Sequence, residues 1–143
     1  MNDNTVLKTY RGTPGDTNNV LVYPAEGEPY QLRHIVYHSP TGFAWGYGGS
    51  GPADLSLSIL ADHLGERPSD NAPWLGNPQC WRYYQPFKFD FVANWPMLAP
   101  FELHSEDIDA WLGAAMLAKQ RQDEDGWLES AYEEANGCGL EEC

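Results

Sequence analysis

The chain has 143 residues, 42% of them hydrophobic and 13% aromatic, which is the size and composition of one globular domain and disfavours intrinsic disorder. Its formal net charge of −13 repels nucleic-acid phosphates and anionic membranes, so neither is expected as a direct ligand. No apolar run approaches the roughly 18 residues of a membrane span, and the polar start does not resemble a signal peptide, so we expect a cytoplasmic protein.

The negative charge is concentrated in the last third of the chain. Residues 1–100 contain nine acidic and six basic residues, whereas residues 101–143 contain twelve acidic and two basic residues. This distribution attracts basic surfaces, or it serves only to keep the protein soluble.

Cysteine usage argues against a disulfide framework and against a zinc site. Cys80, Cys138 and Cys143 are few, odd in number and not in a CxxC motif. We therefore predict free thiols, with pairing of Cys138 and Cys143 left open.

The first half of the chain reads as short strands separated by turn sequences. The β-rich segments alternate with Gly- and Pro-containing turns, a pattern typical of antiparallel hairpins. The predicted strands of this half, within residues 6–47, are 6–10, 20–23, 30–33, 34–38 and 43–47.

A first helix is predicted over about residues 52–64. Gly51 is placed to cap it, Pro52 suits its first position, and Gly65 is a stop signal. Apolar residues occupy two opposite faces, which predicts a helix sandwiched between two layers.

Residues 66–79 read as an irregular loop, and further strands are predicted over about residues 80–92. Phe87, Phe89 and Phe91 alternate with Lys88 and Asp90, which is typical of a half-buried strand.

Two more helices are predicted in the last third, over about residues 105–120 and about 126–136, with a break between them at residues 123–126. The second is acidic and amphipathic. The fold class is therefore α+β, a small antiparallel sheet packed by helices. Residues 1–120 are predicted to form one domain, and residues 121–143 an acidic extension packed on or docked to it.

A glycine-rich turn links the predicted strand at 43–47 to the first helix. Backbone N–H groups of Gly48, Gly49, Ser50 and Gly51 could cradle an anion at the helix start. No Lys-Ser or Lys-Thr follows, as a phosphate loop requires, and the alternative is a tight turn that allows close packing.

The sequence contains no recognisable catalytic or metal-binding constellation. The four histidines are not in metal-ligand motifs, and no serine is in a G-x-S-x-G elbow. We predict no catalytic residue, no metal ligand and no cofactor.

The string HSPTGFAWGYGGSGPADL, from His38 to Leu55, resembles the signature of an uncharacterised family found in bacteria, phages and mobile elements. The resemblance covers roughly residues 30–65, with looser similarity at 87–92 and 108–112. Ala44 stands where the family more often has Glu. The resemblance implies no established activity, so no catalytic residue is carried over, and the tail beyond residue 120 lies outside it.

These observations lead to the hypothesis of a non-enzymatic phage or mobile-element protein that inhibits a host defence complex, such as a CRISPR effector. Its acidic side chains would occupy a basic, nucleic-acid-binding surface of that complex. The predicted partner-binding residues are Asp123, Glu124, Asp125, Trp127, Glu129, Tyr132, Glu133 and Glu134. The alternatives are a nucleotide- or small-molecule-binding enzyme that uses the glycine-rich turn with Ser50 and His38, and a structural phage component. Sequence leaves the oligomeric state open.

Overall fold

A computed structural model describes the backbone of residues 7–15 and 18–136, and the side chains of this part up to residue 122. The chain divides into two compact units, Met1–Ile108 and Asp109–Cys143. The first unit contains the sheet and two helices. The division of the chain predicted at residue 120 stays a prediction.

Four antiparallel strands form one sheet in the order β3-β2-β1-β4. In the central pairings, Tyr10 lies opposite Val22 on one side and opposite Leu103 on the other. These side chains are buried, because alternate residues of each strand face the core. The strands are β1 (Lys8–Thr13), β2 (Asn19–Pro24), β3 (Tyr30–Gln31) and β4 (Phe101–His104).

The sheet differs from the predicted one in several places. The predicted strands at 34–38 and 43–47 are irregular chain, and β4 was not predicted. Two aromatic residues of the predicted strand at 43–47, which would share one face of a strand, have different environments: Trp45 is 1% exposed and packs edge-on against Phe101, whereas Tyr47 is 43% exposed. Gly46, with φ of 97°, breaks the extended backbone between them.

The first helix, α1 (Ser50–Leu64), is confirmed as a buried central element. Every residue from Gly51 to Ala61 is buried, so both apolar faces are covered, as the sequence predicts. The N-cap is Gly49, and Gly65 ends the helix with φ of 70°.

Asp62 near the end of α1 ties the helix to the sheet. Its carboxylate accepts hydrogen bonds from Lys8 Nζ at 2.9 Å and from the hydroxyls of Tyr10 and Tyr30, both at 2.7 Å. One helical side chain thus joins strands β1 and β3.

The prediction of strands at 80–92 is wrong: Gln79–Asp90 is a helix, α2, and Val92–Asn94 a single 3₁₀ turn. Cys80, Tyr83, Tyr84 and Phe87 are its buried face, at the spacing of three and four residues that a helix requires. The helical spacing of these four residues decides the structure, although Phe87, Phe89 and Phe91 alternate as in a strand. Phe89 accordingly is 56% exposed.

Ser105–Asn136 forms one helix, α3, so the predicted break at residues 123–126 is wrong. The acidic residues there are compatible with a helix, and one glycine costs only about 1 kcal/mol relative to alanine. The Ser105 hydroxyl accepts a hydrogen bond from the backbone N–H of Lys8 at 2.9 Å. Among the described residues, no helix is both long and apolar enough to cross a lipid bilayer.

Candidate functional site

The signature segment is organised by one carboxylate, that of Asp54 in the second turn of α1. Its side chain is fully buried. Oδ1 accepts the backbone N–H of His38 at 2.7 Å, and Oδ2 accepts those of Ser39 at 2.9 Å and Tyr37 at 3.2 Å. His34 Nε2 donates to Oδ2 at 2.8 Å. The irregular segment 34–39 is therefore held by a side chain instead of a strand ladder.

Asp54 is ionised in this environment. Burial by itself raises the pKa of the carboxyl, but the hydrogen bonds from His34 and from three backbone N–H groups outweigh it and lower the pKa. Because its oxygens are occupied by these donors, Asp54 is suited to anchoring the loop.

His38 and Ser50, the pair of the enzymatic alternative, have separate surroundings. His38 Nε2 lies 2.8 Å from the Tyr84 hydroxyl, and its imidazole packs edge-on against the Tyr37 ring. Ser50 is exposed at the start of α1, and no hydrogen bond joins it to His38. Within the described residues, no group of three or more His, Cys, Asp or Glu is arranged to hold a metal ion.

The four consecutive residues predicted as an anion-binding turn lie at the amino end of α1, and anion binding by them stays a prediction. Gly49 is the N-cap and forms no side-chain cap. Close packing explains why residue 51 is a glycine, since a Cβ at Gly51 would lie 2.7 Å from the Cβ of Ala44. Gly46 is similarly restricted, since a Cβ there would lie 2.7 Å from the Cα of Met97. We call residues 46–51 the glycine turn.

Lys88 lies beside the glycine turn and was missed by the sequence reasoning. Its side chain is 5% exposed, and its Nζ donates a long hydrogen bond, 3.4 Å, to the carbonyl of Gly48. Burial lowers the pKa of this amine. On a strand, Lys88 would face solvent opposite Phe87. A helical reading of residues 79–90 would have placed the two residues as neighbours on the inner side of α2.

A partly exposed group of rings, the aromatic cluster, is formed by Tyr37, Trp74, Trp81 and Tyr84, of which Tyr84 is buried. Tyr37 contacts Trp74 and Trp81 with ring centroids 5.7 and 5.6 Å apart, and Trp81 contacts Tyr84 at 5.2 Å. Tyr37 is 40% and Trp74 43% exposed, and the adjacent Leu75 is 72% exposed. The cluster unites three sequence segments, so no single motif could have revealed it.

The eight predicted partner-binding residues lie outside the part of the chain whose side chains are described. All eight, Asp123, Glu124, Asp125, Trp127, Glu129, Tyr132, Glu133 and Glu134, are on the backbone of α3. Cys138 and Cys143 also lie outside the described residues. Cys80 is a free, buried thiol, and burial together with a hydrogen bond involving Glu66 raises its pKa to about 12.

Comparison with known proteins identifies a family. Residues 10–114 match a family described as a family of unknown function, DUF6166. The matched range includes the whole sheet from Tyr10 onward, α1, α2 and the start of α3. No curated protein and no solved structure gives a significant match to this chain.

Proposed function

We propose that this chain, which belongs to the DUF6166 family of unknown function, is a non-enzymatic interaction protein whose acidic carboxyl-terminal helix binds a basic protein surface. The observation that carries the proposal is the concentration of negative charge on one long element. Helix α3 has nine acidic and two basic residues over 32 residues, about 48 Å of helix. Residues 117–122, the last whose side chains are described, are all exposed.

Electrostatics within α3 favours a basic partner. Glu129 and Glu133 are four residues apart, a spacing at which two like charges destabilise a helix by about 0.2–0.5 kcal/mol. Lys or Arg side chains of a partner would convert this repulsion into charge-assisted hydrogen bonds. The acidic helix therefore gains stability when it binds.

The basic surface that fits such a helix is one that normally binds nucleic acid, because carboxylates and phosphates are recognised by the same Lys and Arg side chains. The specific form of the proposal is a phage or mobile-element protein that inhibits a host nucleoprotein defence complex, such as a CRISPR effector. The resemblance of residues 38–55 to a family found in phages and mobile elements supports this form.

The aromatic cluster supplies a second kind of contact. Exposed Trp and Tyr are typical of energetically important interface positions, and their contribution to binding is insensitive to salt. Tyr37, on the segment held by Asp54, is positioned before any partner binds. Binding through the cluster and binding through the acidic helix can therefore be separated by ionic strength.

The test is affinity capture from a bacterial host lysate with two charge-reversal variants that change the net charge equally. Glu129→Lys/Glu133→Lys alters the acidic helix. Glu26→Lys/Glu28→Lys alters exposed residues of the β2–β3 loop and is the matched control. We expect the wild type and the control to capture a nucleic-acid-binding protein in about 50 mM salt and to lose it near 200 mM, and we expect the helix variant not to capture it.

Competition decides whether the captured protein is the intended partner. Added nucleic acid should release it, because the helix and the nucleic acid are proposed to occupy the same Lys and Arg side chains. Equal capture by both variants, or capture that nucleic acid does not affect, would contradict the proposal.

A further inference from the structure

Lys88 carries a buried positive charge that the proposed function does not use. The residue is 5% exposed, and its ammonium contacts the Gly48 carbonyl at 3.4 Å and the Phe89 ring, whose centroid is 4.3 Å away. Neither neighbour carries a negative charge, and no carboxylate of the described residues forms an ion pair with this amine.

This arrangement is costly for the folded protein. An ammonium taken out of water requires a counter-charge or several hydrogen bonds, and one 3.4 Å contact is a weak replacement for its hydration. Burial lowers the pKa of Lys88, as expected for a charge that is poorly compensated. An anion at this place would remove the cost.

The amino end of α1 lies at the same place. Gly48, which contacts Lys88, precedes the N-cap Gly49, and α1 has neither a side-chain cap nor an acidic residue in its first turn. By contrast, α2 begins with the N–H groups of Gln79 and Cys80 donating to the Glu66 carboxylate at 2.9 and 2.8 Å. The first N–H groups of α1 thus point a positive partial charge at the glycine turn beside Lys88.

We propose that the glycine turn and Lys88 together bind the phosphate group of a nucleotide. The first backbone N–H groups of α1 and the exposed Ser50 hydroxyl donate to phosphate oxygens, and the Lys88 ammonium supplies the counter-charge. The rings of Tyr47 and Phe89, 43% and 56% exposed, lie against Gly49 and Gly48 and offer surfaces on which a base can stack. The net charge of residues 1–100 is only −3, so the general repulsion of an anion by this part of the chain is weak.

The experiment measures thermal unfolding and calorimetric binding of the full chain in a buffer free of phosphate and sulfate. The probes are AMP, inorganic phosphate and adenosine. We expect AMP to raise the unfolding midpoint, inorganic phosphate to raise it less, and adenosine to leave it unchanged. The matched variants are Lys88→Met and Arg67→Met, of which the second removes the charge of an exposed residue in the same unit.

Lys88→Met should weaken AMP binding at least tenfold and raise the unfolding midpoint without ligand, because it removes an uncompensated buried charge. Arg67→Met should bind AMP like the wild type. Ser50→Asp provides a second variant that is expected to fold, because an acidic residue in the first turn suits the helix dipole, and its carboxylate should repel phosphate.

An unchanged midpoint of the wild type in the presence of AMP and phosphate would overturn the inference. Equal AMP affinity in the wild type, Lys88→Met and Ser50→Asp would also overturn it. Both results are independent of α3, so they leave the proposed function untouched.

Discussion

At the scale of single residues, Asp54 decides how the signature segment is built. Segment 34–39 forms no strand, yet three of its backbone N–H groups have an acceptor because one buried carboxylate replaces a neighbouring strand. The same segment carries Tyr37 of the aromatic cluster and His38, which contacts Tyr84. The fixed position of these side chains therefore depends on Asp54.

Asp54→Asn should destabilise the protein by about 2–4 kcal/mol, because an amide offers one acceptor oxygen where the carboxylate offers two and brings its own N–H groups against donors. Since the folded pKa of Asp54 is lowered, its contribution to stability is complete above the unfolded pKa and is lost as the pH falls below about 4. Urea unfolding at a series of pH values checks this. A wild-type advantage that does not shrink in acid would contradict the role given to the charge.

At the scale of elements, α1 could be predicted from sequence, whereas α2 could not. Pro52, Gly65 and the apolar spacing between them all indicate the same helix. In α2 the signals conflict, because Pro86 lies inside the helix and Phe87, Phe89 and Phe91 alternate as in a strand. Packing of Cys80, Tyr84 and Phe87 against the core resolves the conflict, and packing is a tertiary property.

The start of α1 gives a prediction about that element. Gly51→Ala should cost about 1–3 kcal/mol, because the new methyl group would meet the Cβ and backbone N of Ala44 at 2.7 and 3.1 Å. Gly113→Ala is the matched control in α3, where an added Cβ has no described neighbour within 4 Å. It should leave stability unchanged or raise it by about 0.5–1 kcal/mol. Denaturant midpoints of the two variants compare these effects, and equal losses would contradict the steric explanation.

At the scale of the whole molecule, the negative charge is distributed along the chain differently from the buried core and the signature segment. The signature and nearly all of the buried core belong to Met1–Ile108, whereas the much shorter Asp109–Cys143 has nine acidic and two basic residues and so carries about half of the net charge. The uneven distribution of charge can be predicted from the sequence, because it requires only a count of the charged residues. The neighbourhood of Lys88 and the glycine turn is not visible there, because residues forty positions apart meet only in the folded chain.

The central claim is that the acidic end of α3 binds the partner. The most direct test compares the full chain with a protein that ends at Gln122, and it measures the affinity of each, at low salt, for the partner that nucleic acid displaces. The shortened protein retains every side chain that builds the sheet, α1 and α2, and we expect its first unit to unfold at the wild-type midpoint. We expect its affinity for the partner to fall at least tenfold, because six of the acidic residues of α3 are absent. Full affinity in the shortened protein would show that binding does not require the acidic end of α3.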